Sequence, residues 1–154
     1  MIRQLDERTL VSGQIAPAEV AALAEQGVTM IVNNRPDGED SEQPTGADIH
    51  AAAEAAGIAY RAVPVRYGIG PAEIDGMREA VGACGEGKLL AFCRSGTRSA
   101  LTWALAKRMD GASADEVSAW VSEAGSTRLR SPTCSRARTH EGPRRRPHNP
   151  RRAP

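Results

Sequence analysis

One cysteine stands where an apolar run gives way to a helix-like pattern, in the stretch KLLAFCRSGTRSALTWAL that spans residues 88–105. A short turn runs from Cys93 to Arg98 and leads directly into that pattern. Such a turn directs unpaired backbone N–H groups inward, and the helix dipole adds positive potential at the same place. The stretch therefore predicts an anion-binding loop built around a cysteine.

The side chains of this loop suit an activated nucleophile. Gly96 permits the positive φ that a tight loop requires, and the hydroxyls of Ser95 and Ser99 can donate to the sulfur. Arg98 can hold an oxyanion with two parallel hydrogen bonds, which a lysine cannot do. Helix N-termini and neighbouring arginines stabilise a thiolate, so Cys93 is expected to ionise near neutral pH. The predicted catalytic residues are Cys93 and Arg98, and the predicted anion-binding residues of the loop are Arg94, Ser95, Gly96, Thr97 and Ser99.

The alternative interpretation of Cys93 is a buried structural cysteine at the end of a strand. It leaves the two arginines, the glycine and the two serines around the cysteine unexplained, so we favour a nucleophile. His50 lies in a predicted helix, where a solvated or capping role is favoured over catalysis. Cys84 and Cys134 lack the CxxC spacing of a metal site, and no glycine-rich nucleotide loop occurs. We therefore predict neither a metal ion nor a cofactor.

A second motif, NNRPDGED at residues 33–40, follows another predicted strand. Arg35 could bind an anionic substrate there, and Asp37 could orient an arginine of the cysteine loop or act as a proton donor. The alternative is an ordinary turn, since Pro-Asp-Gly is favoured turn chemistry in any protein. Function and turn remain equally open for Asp37, whereas a binding role is favoured for Arg35.

Strands and helices alternate along the first 125 residues. Helices are indicated by apolar residues at helical spacing, by Pro at a first helical position and by Gly after a last one. Short apolar runs rich in β-branched residues indicate buried strands. The predicted strands are 9–13, 28–34, 59–65 and 88–93, and the predicted helices are 17–26, 46–57, 71–84, 97–109 and 114–124.

This alternation predicts an α/β fold, with a central, mainly parallel sheet between two layers of helices. In such sheets ligands bind at the carboxyl ends of the strands. Cys93 closes one predicted strand and the NNRPDGED motif follows another, so both should face one crevice. Pro64 suggests that the strand at 59–65 lies near an edge or ends early.

The charge of the chain divides it into two parts. Residues 1–125 carry 11 Lys and Arg against 18 Asp and Glu, whereas residues 126–154 carry nine Arg, one Glu and five of the ten prolines. The second part has one large aliphatic residue and no hydrophobic periodicity, so it cannot offset the entropy of its own ordering. We predict a domain at 1–125 and a disordered tail at 126–154.

Three interpretations of the arginine-rich tail compete. It could be a basic arm for nucleic acid, a solvated extension without function, or an aberrant C-terminus of the kind that GC-rich DNA yields in a shifted frame. No aromatic residue interleaves the arginines, which removes a stacking platform and disfavours nucleic-acid binding. The charged start MIRQLDERTL shows no secretory signal, and no apolar run suits a membrane helix, so a cytoplasmic location is expected.

The loop CRSGTRS resembles the active loop of rhodanese-type sulfurtransferases, whose pattern is Cys-Arg-Ser-Gly-x-Arg. Cysteine-dependent protein phosphatases use a similar loop with five residues between Cys and Arg, whereas four lie between Cys93 and Arg98. The stretches VSGQIAPAEVAALAEQGVTMIVNNRPDGED, AGIAYRAVPV and LLAFCRSGTRSALTWAL resemble the phosphatase-like domain of the beta-lactamase-hydrolase-like proteins. That resemblance covers residues 2–125 and implies a dual-specificity-phosphatase-like fold, with the chemistry divided between phosphatase and sulfurtransferase. The family's usual ending after SEAG is replaced by the arginine-rich tail.

A phosphatase of this shape carries its proton-donating aspartate in the loop after the third strand. The corresponding segment, RYGIGPAEIDGM at 66–77, places its acids Glu73 and Asp75 after Pro71, inside a predicted helix. We therefore predict a rhodanese-type sulfurtransferase with a persulfide on Cys93, acting on thiosulfate or a persulfide. The alternative is a phosphatase that forms a phosphocysteine from a phosphoester, and the third hypothesis is a non-catalytic oxyanion-binding module. The resemblance also implies, as a partner, a metallo-hydrolase of sulfur metabolism.

Overall fold

The structure is a computed structural model and describes residues 1–123, without the side chain of Glu123. The predicted tail at 126–154 and the predicted boundary near Gly125 lie outside the described residues. The strands are β1 (Arg3–Gln4), β2 (Thr9–Ser12), β3 (Val28–Asn33), β4 (Ala59–Ala62) and β5 (Lys88–Phe92). The helices are α1 (Val20–Glu25), preceded by a 3-10 turn at Pro17–Glu19, then α2 (Gly46–Ala55), α3 (Pro71–Cys84), α4 (Thr97–Met109) and α5 (Ala114–Glu123).

The five strands form one mixed sheet in the order β1-β2-β5-β3-β4. Strands β2, β5, β3 and β4 run parallel to their neighbours, and β1 alone pairs antiparallel, with β2. The mainly parallel sheet that the alternation of elements predicts is therefore confirmed. The two-residue strand β1 was not predicted, because so short a segment carries no periodicity.

Helices cover both faces of the sheet, which confirms the predicted three layers. Side chains of a strand alternate between the faces. In β5, Leu90 and Phe92 pack in the apolar cluster formed with α1 and α2. Leu89 and Ala91 pack in the cluster on the other face, which is formed with α3, α4 and α5 and contains the fully buried Trp103. The cysteine loop that follows β5 is thus anchored from both sides.

Side-chain caps set the starts of two helices. In α2, Thr45 Oγ1 accepts from the backbone N–H of Asp48 at 3.1 Å, and Asp48 Oδ2 accepts from the backbone N–H of Thr45 at 3.2 Å. In α5, Ser113 and Glu116 exchange the same pair of bonds, at 3.1 and 2.8 Å. These reciprocal bonds satisfy N–H groups that the first turn of a helix leaves without partners.

Strand β4 is shorter than the predicted strand 59–65 and lies at an edge of the sheet. Its pairing with β3 ends at Ala62, two residues before Pro64. The backbone N–H groups of Val63 and Val65 donate to the carbonyls of Asn33 and Asn34, at 2.9 and 3.0 Å. Pro64 has no N–H to donate, so the chain leaves the regular ladder here and becomes a loop.

The carboxyl ends of the parallel strands meet at one edge of the sheet. Cys93 follows β5, and its backbone N–H donates to the carbonyl of Ser12 at the end of β2, at 3.4 Å. Asn34 follows β3, and its backbone N–H donates to the carbonyl of Phe92 at 2.8 Å. The cysteine loop and the NNRPDGED motif therefore share one crevice, as predicted. Among residues 1–123, no helix has the length and apolar character needed to cross a membrane.

Candidate active site

The loop after β5 surrounds the Cys93 sulfur with backbone donors. Cys93 is fully buried, and its Sγ accepts a hydrogen bond from the backbone N–H of Gly96 at 3.1 Å. Helix α4 begins at the next residue, and the N–H of Ala100 donates to the carbonyl of Gly96 at 3.0 Å. The sulfur thus lies at the amino end of a 13-residue helix, where the dipole favours negative charge.

The pKa of Cys93 lies below the ordinary value of a thiol. Burial is the largest single influence and raises the pKa, because it disfavours the charged form. Hydrogen bonds from the backbone N–H groups of Ser99, Ser95 and Gly96, and from the Ser99 hydroxyl, lower it and together outweigh burial. The loop therefore stabilises a thiolate, which is the nucleophilic form.

The Ser99 hydroxyl has a special place in this loop. Its Oγ is buried and forms no well-aligned hydrogen bond with any group of the described part of the chain. It nevertheless lies near enough to the sulfur to lower the pKa of Cys93. A buried hydroxyl without a good partner is costly in a protein interior. The geometry therefore leaves Ser99 with a donor available to Cys93 or to an atom attached to it.

Gly96 is held in a conformation that suits glycine alone. Its φ is +91°, and a Cβ placed there would lie 2.6 Å from Arg3 Nη2 and 3.3 Å from the carbonyl carbon of Ser12. Arg3 itself braces the loop, because its Nη2 donates to the carbonyl of Ser95 at 3.1 Å. The short strand β1, unforeseen in the sequence, therefore contributes to the site.

Replacing Gly96 with alanine is expected to destabilise the domain by about 1–3 kcal/mol, the usual cost of forcing a side chain into a left-handed backbone region. It should also lower turnover, since Arg3 and the loop backbone must move. The matched control is Gly82→Ala within α3, where an added Cβ meets nothing within 4 Å. That change should stabilise by about 0.5–1 kcal/mol. Urea unfolding measures the free energy of unfolding of both variants. Equal values for Gly96→Ala and Gly82→Ala would contradict this account of Gly96.

Arg98 lies beside the sulfur, and Glu39 and the carbonyl of Val65 hold its guanidinium in place. Nη1 donates to Glu39 Oε1 at 2.5 Å and to the carbonyl of Val65 at 2.9 Å, and Nη2 donates to Glu39 Oε2 at 2.8 Å. These bonds use three of the five guanidinium hydrogens. Among the described residues the Nε hydrogen and the second Nη2 hydrogen have no oxygen acceptor, and the Cys93 sulfur lies within hydrogen-bonding reach of the guanidinium. The hydrogen bond to Glu39 is the main cause that raises the pKa of Arg98, and the Cys93 sulfur adds to it.

Arg35, predicted to bind an anionic substrate, has its side chain only 5% exposed. Its Nε donates to Glu39 Oε2 at 2.9 Å, and its Nη1 donates to Gln14 Oε1 at 3.0 Å. The structure thus places Arg35 behind Glu39 instead of opening it into the crevice. Direct substrate contact by Arg35 stays a prediction, and its observed contacts give it a supporting position.

Asp37 does not contact an arginine of the cysteine loop among the described interactions. Its Oδ1 accepts from the backbone N–H of Gly46 at 2.8 Å, at the start of α2. The acid that orients Arg98 is instead Glu39, two residues further along the same motif. The motif thus also serves as a turn, with Asp37 tying it to α2.

Glu39 was missed in the sequence analysis, although its spacing of four residues from Arg35 was a signal. Its carboxylate joins the two arginines, and its side chain is 28% exposed. Hydrogen bonding to Arg98 lowers the pKa of Glu39 to about 2; partial burial opposes this shift and Arg35 adds to it. Glu39 is therefore an anion at any working pH and serves to position Arg98.

The low pKa of Glu39 predicts a pH-dependent stability. A carboxyl whose pKa is near 4.3 in the unfolded chain and lower in the folded protein stabilises the fold at pH values above 4.3. This contribution to the free energy of unfolding is lost as the pH falls towards 2. With allowance for solvent screening, the loss should amount to about 1–2 kcal/mol. Glu39→Gln should lack this part of the pH dependence between pH 5 and about 2. Urea unfolding at several pH values measures it, and parallel curves for the two proteins would contradict the prediction.

The other predicted loop residues lie at the surface of the site. Arg94 and Ser95 are exposed, and Thr97 is partly buried. Ser95 Oγ donates to Thr97 Oγ1 at 3.2 Å. The side chains of Arg94 and Ser95 therefore lie at the surface, while the backbone N–H of Ser95 is directed towards the Cys93 sulfur. Within the described residues no group of three His, Cys, Asp or Glu side chains could hold a metal ion.

A cavity lies away from this crevice, at the amino-terminal ends of the strands. It has a volume of about 810 Å³ and contacts Arg8, Cys84 and Trp120. Cys84 is half-buried there, with its Sγ 3.5 Å from Thr29 Oγ1. The candidate nucleophilic site lies outside this cavity and is defined by the donors around Cys93.

The part of the chain that carries the cysteine loop matches a known protein family. Residues 1–110 match the family model described as "Beta-lactamase hydrolase-like protein, phosphatase-like domain". The chain belongs to this family. The membership that the three sequence stretches indicate is thus confirmed, and Cys93 and Arg98 lie within the matched beta-lactamase hydrolase-like domain.

Curated relatives of the family cover the same part of the chain. A beta-lactamase hydrolase-like protein of Xylella fastidiosa is 40% identical over 111 residues, which are 71% of this chain and 26% of the relative. One from Agrobacterium fabrum is 36% identical over 112 residues, which are 70% of this chain and 25% of the relative. The chain thus spans about a quarter of the length of the curated relatives it matches.

Solved structures of similar shape are of phosphatase type. A candidate phosphatase from Neisseria meningitidis has a TM-score of 0.70 at 33% identity, over 80% of this chain and 88% of the other. Kinase associated phosphatase has a TM-score of 0.61 at 18% identity, over 79% and 81%. Pseudomonas aeruginosa TpbA, in complex with pTyr, has a TM-score of 0.57 at 19% identity, over 80% of this chain and 70% of TpbA. The last two likenesses show the fold alone.

These comparisons confirm the dual-specificity-phosphatase-like fold. They also favour the phosphatase alternative over the rhodanese-type sulfurtransferase that the loop spacing and the missing aspartate led us to prefer. The physical reason is that a cysteine loop of this kind binds either type of oxyanion, so the loop alone does not select the chemistry. The domain is of the cysteine-dependent phosphatase-like class.

Proposed function

We propose that this beta-lactamase hydrolase-like domain is a cysteine-dependent phosphatase that acts on a small anionic phosphoester. The observation that carries the proposal is the buried Cys93 sulfur, which accepts from the backbone N–H of Gly96 beside the oriented guanidinium of Arg98. A phosphoryl group bound in the loop would meet backbone N–H donors on one side and two guanidinium hydrogens on the other. That arrangement places positive charge where the transferring group gains negative charge.

The first step transfers the phosphoryl group to sulfur. The Cys93 thiolate attacks phosphorus, the S–P bond forms, and the P–O bond to the leaving group breaks with its electron pair remaining on oxygen. The free Nε and Nη2 hydrogens of Arg98 and the loop N–H groups hold the transferred oxygens in line. The loop lowers the pKa of Cys93 and so favours the thiolate, which is the attacking form.

The second step hydrolyses the phosphocysteine and regenerates the free enzyme. Water attacks phosphorus, the S–P bond breaks, and the electron pair returns to sulfur as the thiolate. Ser99 is placed to donate to that returning charge, since its buried hydroxyl lies beside the sulfur without a well-aligned partner among the described residues. The products are inorganic phosphate and the dephosphorylated leaving group, and no cofactor takes part in either step.

Two features still favour sulfur transfer: the four residues between Cys93 and Arg98, and the lack of an aspartate before Pro71 in the segment at 66–77. We therefore test both chemistries together. The domain should release phosphate from para-nitrophenyl phosphate, Cys93→Ser should not, and thiosulfate with cyanide should yield no thiocyanate. Thiocyanate release without phosphate release would overturn the proposal in favour of a sulfurtransferase. Neither activity, with sulfate still protecting Cys93 from alkylation, would show an oxyanion-binding module.

A further inference from the structure

The loop between β4 and α3, at residues 63–70, faces the cysteine loop. The carbonyl of Val65 accepts from Arg98 Nη1 at 2.9 Å, so this loop is in direct contact with the residue that would hold the phosphoryl group. Its sequence is VPVRYGIG. The residues next to Val65 are Arg66 and Tyr67, both exposed, and Tyr67 is 97% exposed. Residues 63–70 carry no carboxyl or imidazole group that could donate a proton to a leaving group.

Three carboxylates, two in the motif at 33–40 and one at the start of α3, each accept hydrogen bonds from another group. Glu39 binds the guanidinium of Arg98 at 2.5 and 2.8 Å. Asp37 accepts from the N–H of Gly46 at 2.8 Å. Glu73 Oε2 accepts from the N–H of Gly70 at 2.8 Å, at the start of α3. A general acid must be able to reach the leaving oxygen, whereas each of these three carboxylates is engaged as an acceptor by another group of the protein.

We infer that the site acts on activated phosphates, whose leaving group departs as an unprotonated oxyanion. This inference rests on the proposed function and narrows its substrate class. The suitable substrates are acyl phosphates and electron-poor aryl phosphates, because their leaving oxyanions are stable near neutral pH. Alkyl phosphates leave as strongly basic alkoxides and need a proton in the transition state.

The charges balance without a proton from the protein. When the P–O bond breaks, the leaving oxygen keeps the electron pair and takes its proton later from water. In the second step the attacking water loses its proton to solvent rather than to a carboxylate. The group that serves as acid in the first step would be the base in the second, so both steps lack it. We therefore expect a rapid burst of leaving group, one equivalent per site, followed by slower turnover.

The test measures kcat/KM for a series of substituted phenyl phosphates, with acetyl phosphate added as an activated substrate that carries no ring. The ratio reports the first step, which includes departure of the leaving group. It should fall by roughly five- to tenfold for each unit of leaving-group pKa, the Brønsted behaviour of an unassisted departure. Acetyl phosphate should be hydrolysed as readily as the most activated aryl phosphate. A change below twofold per unit would overturn the inference.

Two conservative variants identify the acid if there is one. Asp37→Asn and Tyr67→Phe each remove a proton donor while keeping the shape of the side chain. Both should hydrolyse the least activated phenyl phosphate at the wild-type rate and keep the wild-type pH profile up to pH 9. A drop of more than tenfold in either, with loss of a falling limb at high pH, would overturn the inference and assign the acid to that residue.

Failure of the inference about substrate class can be distinguished from failure of the proposed function. If no substrate of the series is hydrolysed with dependence on Cys93, the phosphatase proposal itself is wrong. If activated substrates are hydrolysed and the dependence on leaving group is flat, the phosphatase proposal stands and the inference about substrate class is wrong.

Discussion

Replacing Cys93 with serine should abolish phosphate release, with a loss of roughly 10⁴-fold or more in kcat, because an alcohol does not ionise in this loop and is a much weaker nucleophile. The change removes little volume from a buried site, so the fold should persist. The measurement is steady-state turnover of para-nitrophenyl phosphate, with circular dichroism confirming the fold.

Cys84→Ser is the matched control for that variant. Cys84 is half-buried and contacts Thr29, on the part of the domain away from the crevice. It should keep wild-type turnover. If Cys84→Ser is as inactive as Cys93→Ser, or if Cys93→Ser retains activity, the assignment of the nucleophile fails.

Removing the guanidinium of Arg98 should have the second largest effect. Arg98→Ala should weaken transition-state binding by about 1.5–3 kcal/mol, the scale of charge-assisted hydrogen bonds, which corresponds to a roughly 10- to 150-fold loss in kcat/KM. Arg98→Lys should recover only part of this, since one ammonium cannot replace the paired donors.

Glu39→Gln separates orientation from binding in the same measurement. Glu39 holds the outer edge of the Arg98 guanidinium, and an amide keeps the shape while losing the charge. It should lower kcat/KM less than Arg98→Ala does, and combining the two changes should cost little more than Arg98→Ala alone. Additive losses would show that Glu39 acts independently of Arg98.

The fold was largely predictable because its signals are local. The regular alternation of apolar strands and capped helices specifies a parallel sheet, and a cysteine at the end of a buried strand must then lie at the edge where loops meet. The bond between Gly96 N–H and Cys93 Sγ follows from the position of glycine three residues after cysteine. Pro64 correctly indicated the short edge strand β4.

The contacts between separate segments were less predictable. Arg98 could have been paired with any acid of the NNRPDGED motif, and only the path of the chain decides for Glu39 over Asp37. Arg3 reaches Ser95 across 92 residues, through a strand too short to show a pattern. The sequence also could not select the chemistry, because a thiolate loop holds thiosulfate and phosphate oxygens with the same donors.

The most direct test of the central claim is the intact mass of the protein, quenched in acid soon after mixing with an activated aryl phosphate and, separately, with thiosulfate. The account predicts that the wild type gains one phosphoryl group from the aryl phosphate, that Cys93→Ser gains none, and that thiosulfate adds no sulfur. A single added sulfur on Cys93 after thiosulfate, with no phosphoryl adduct from the aryl phosphate, would contradict it.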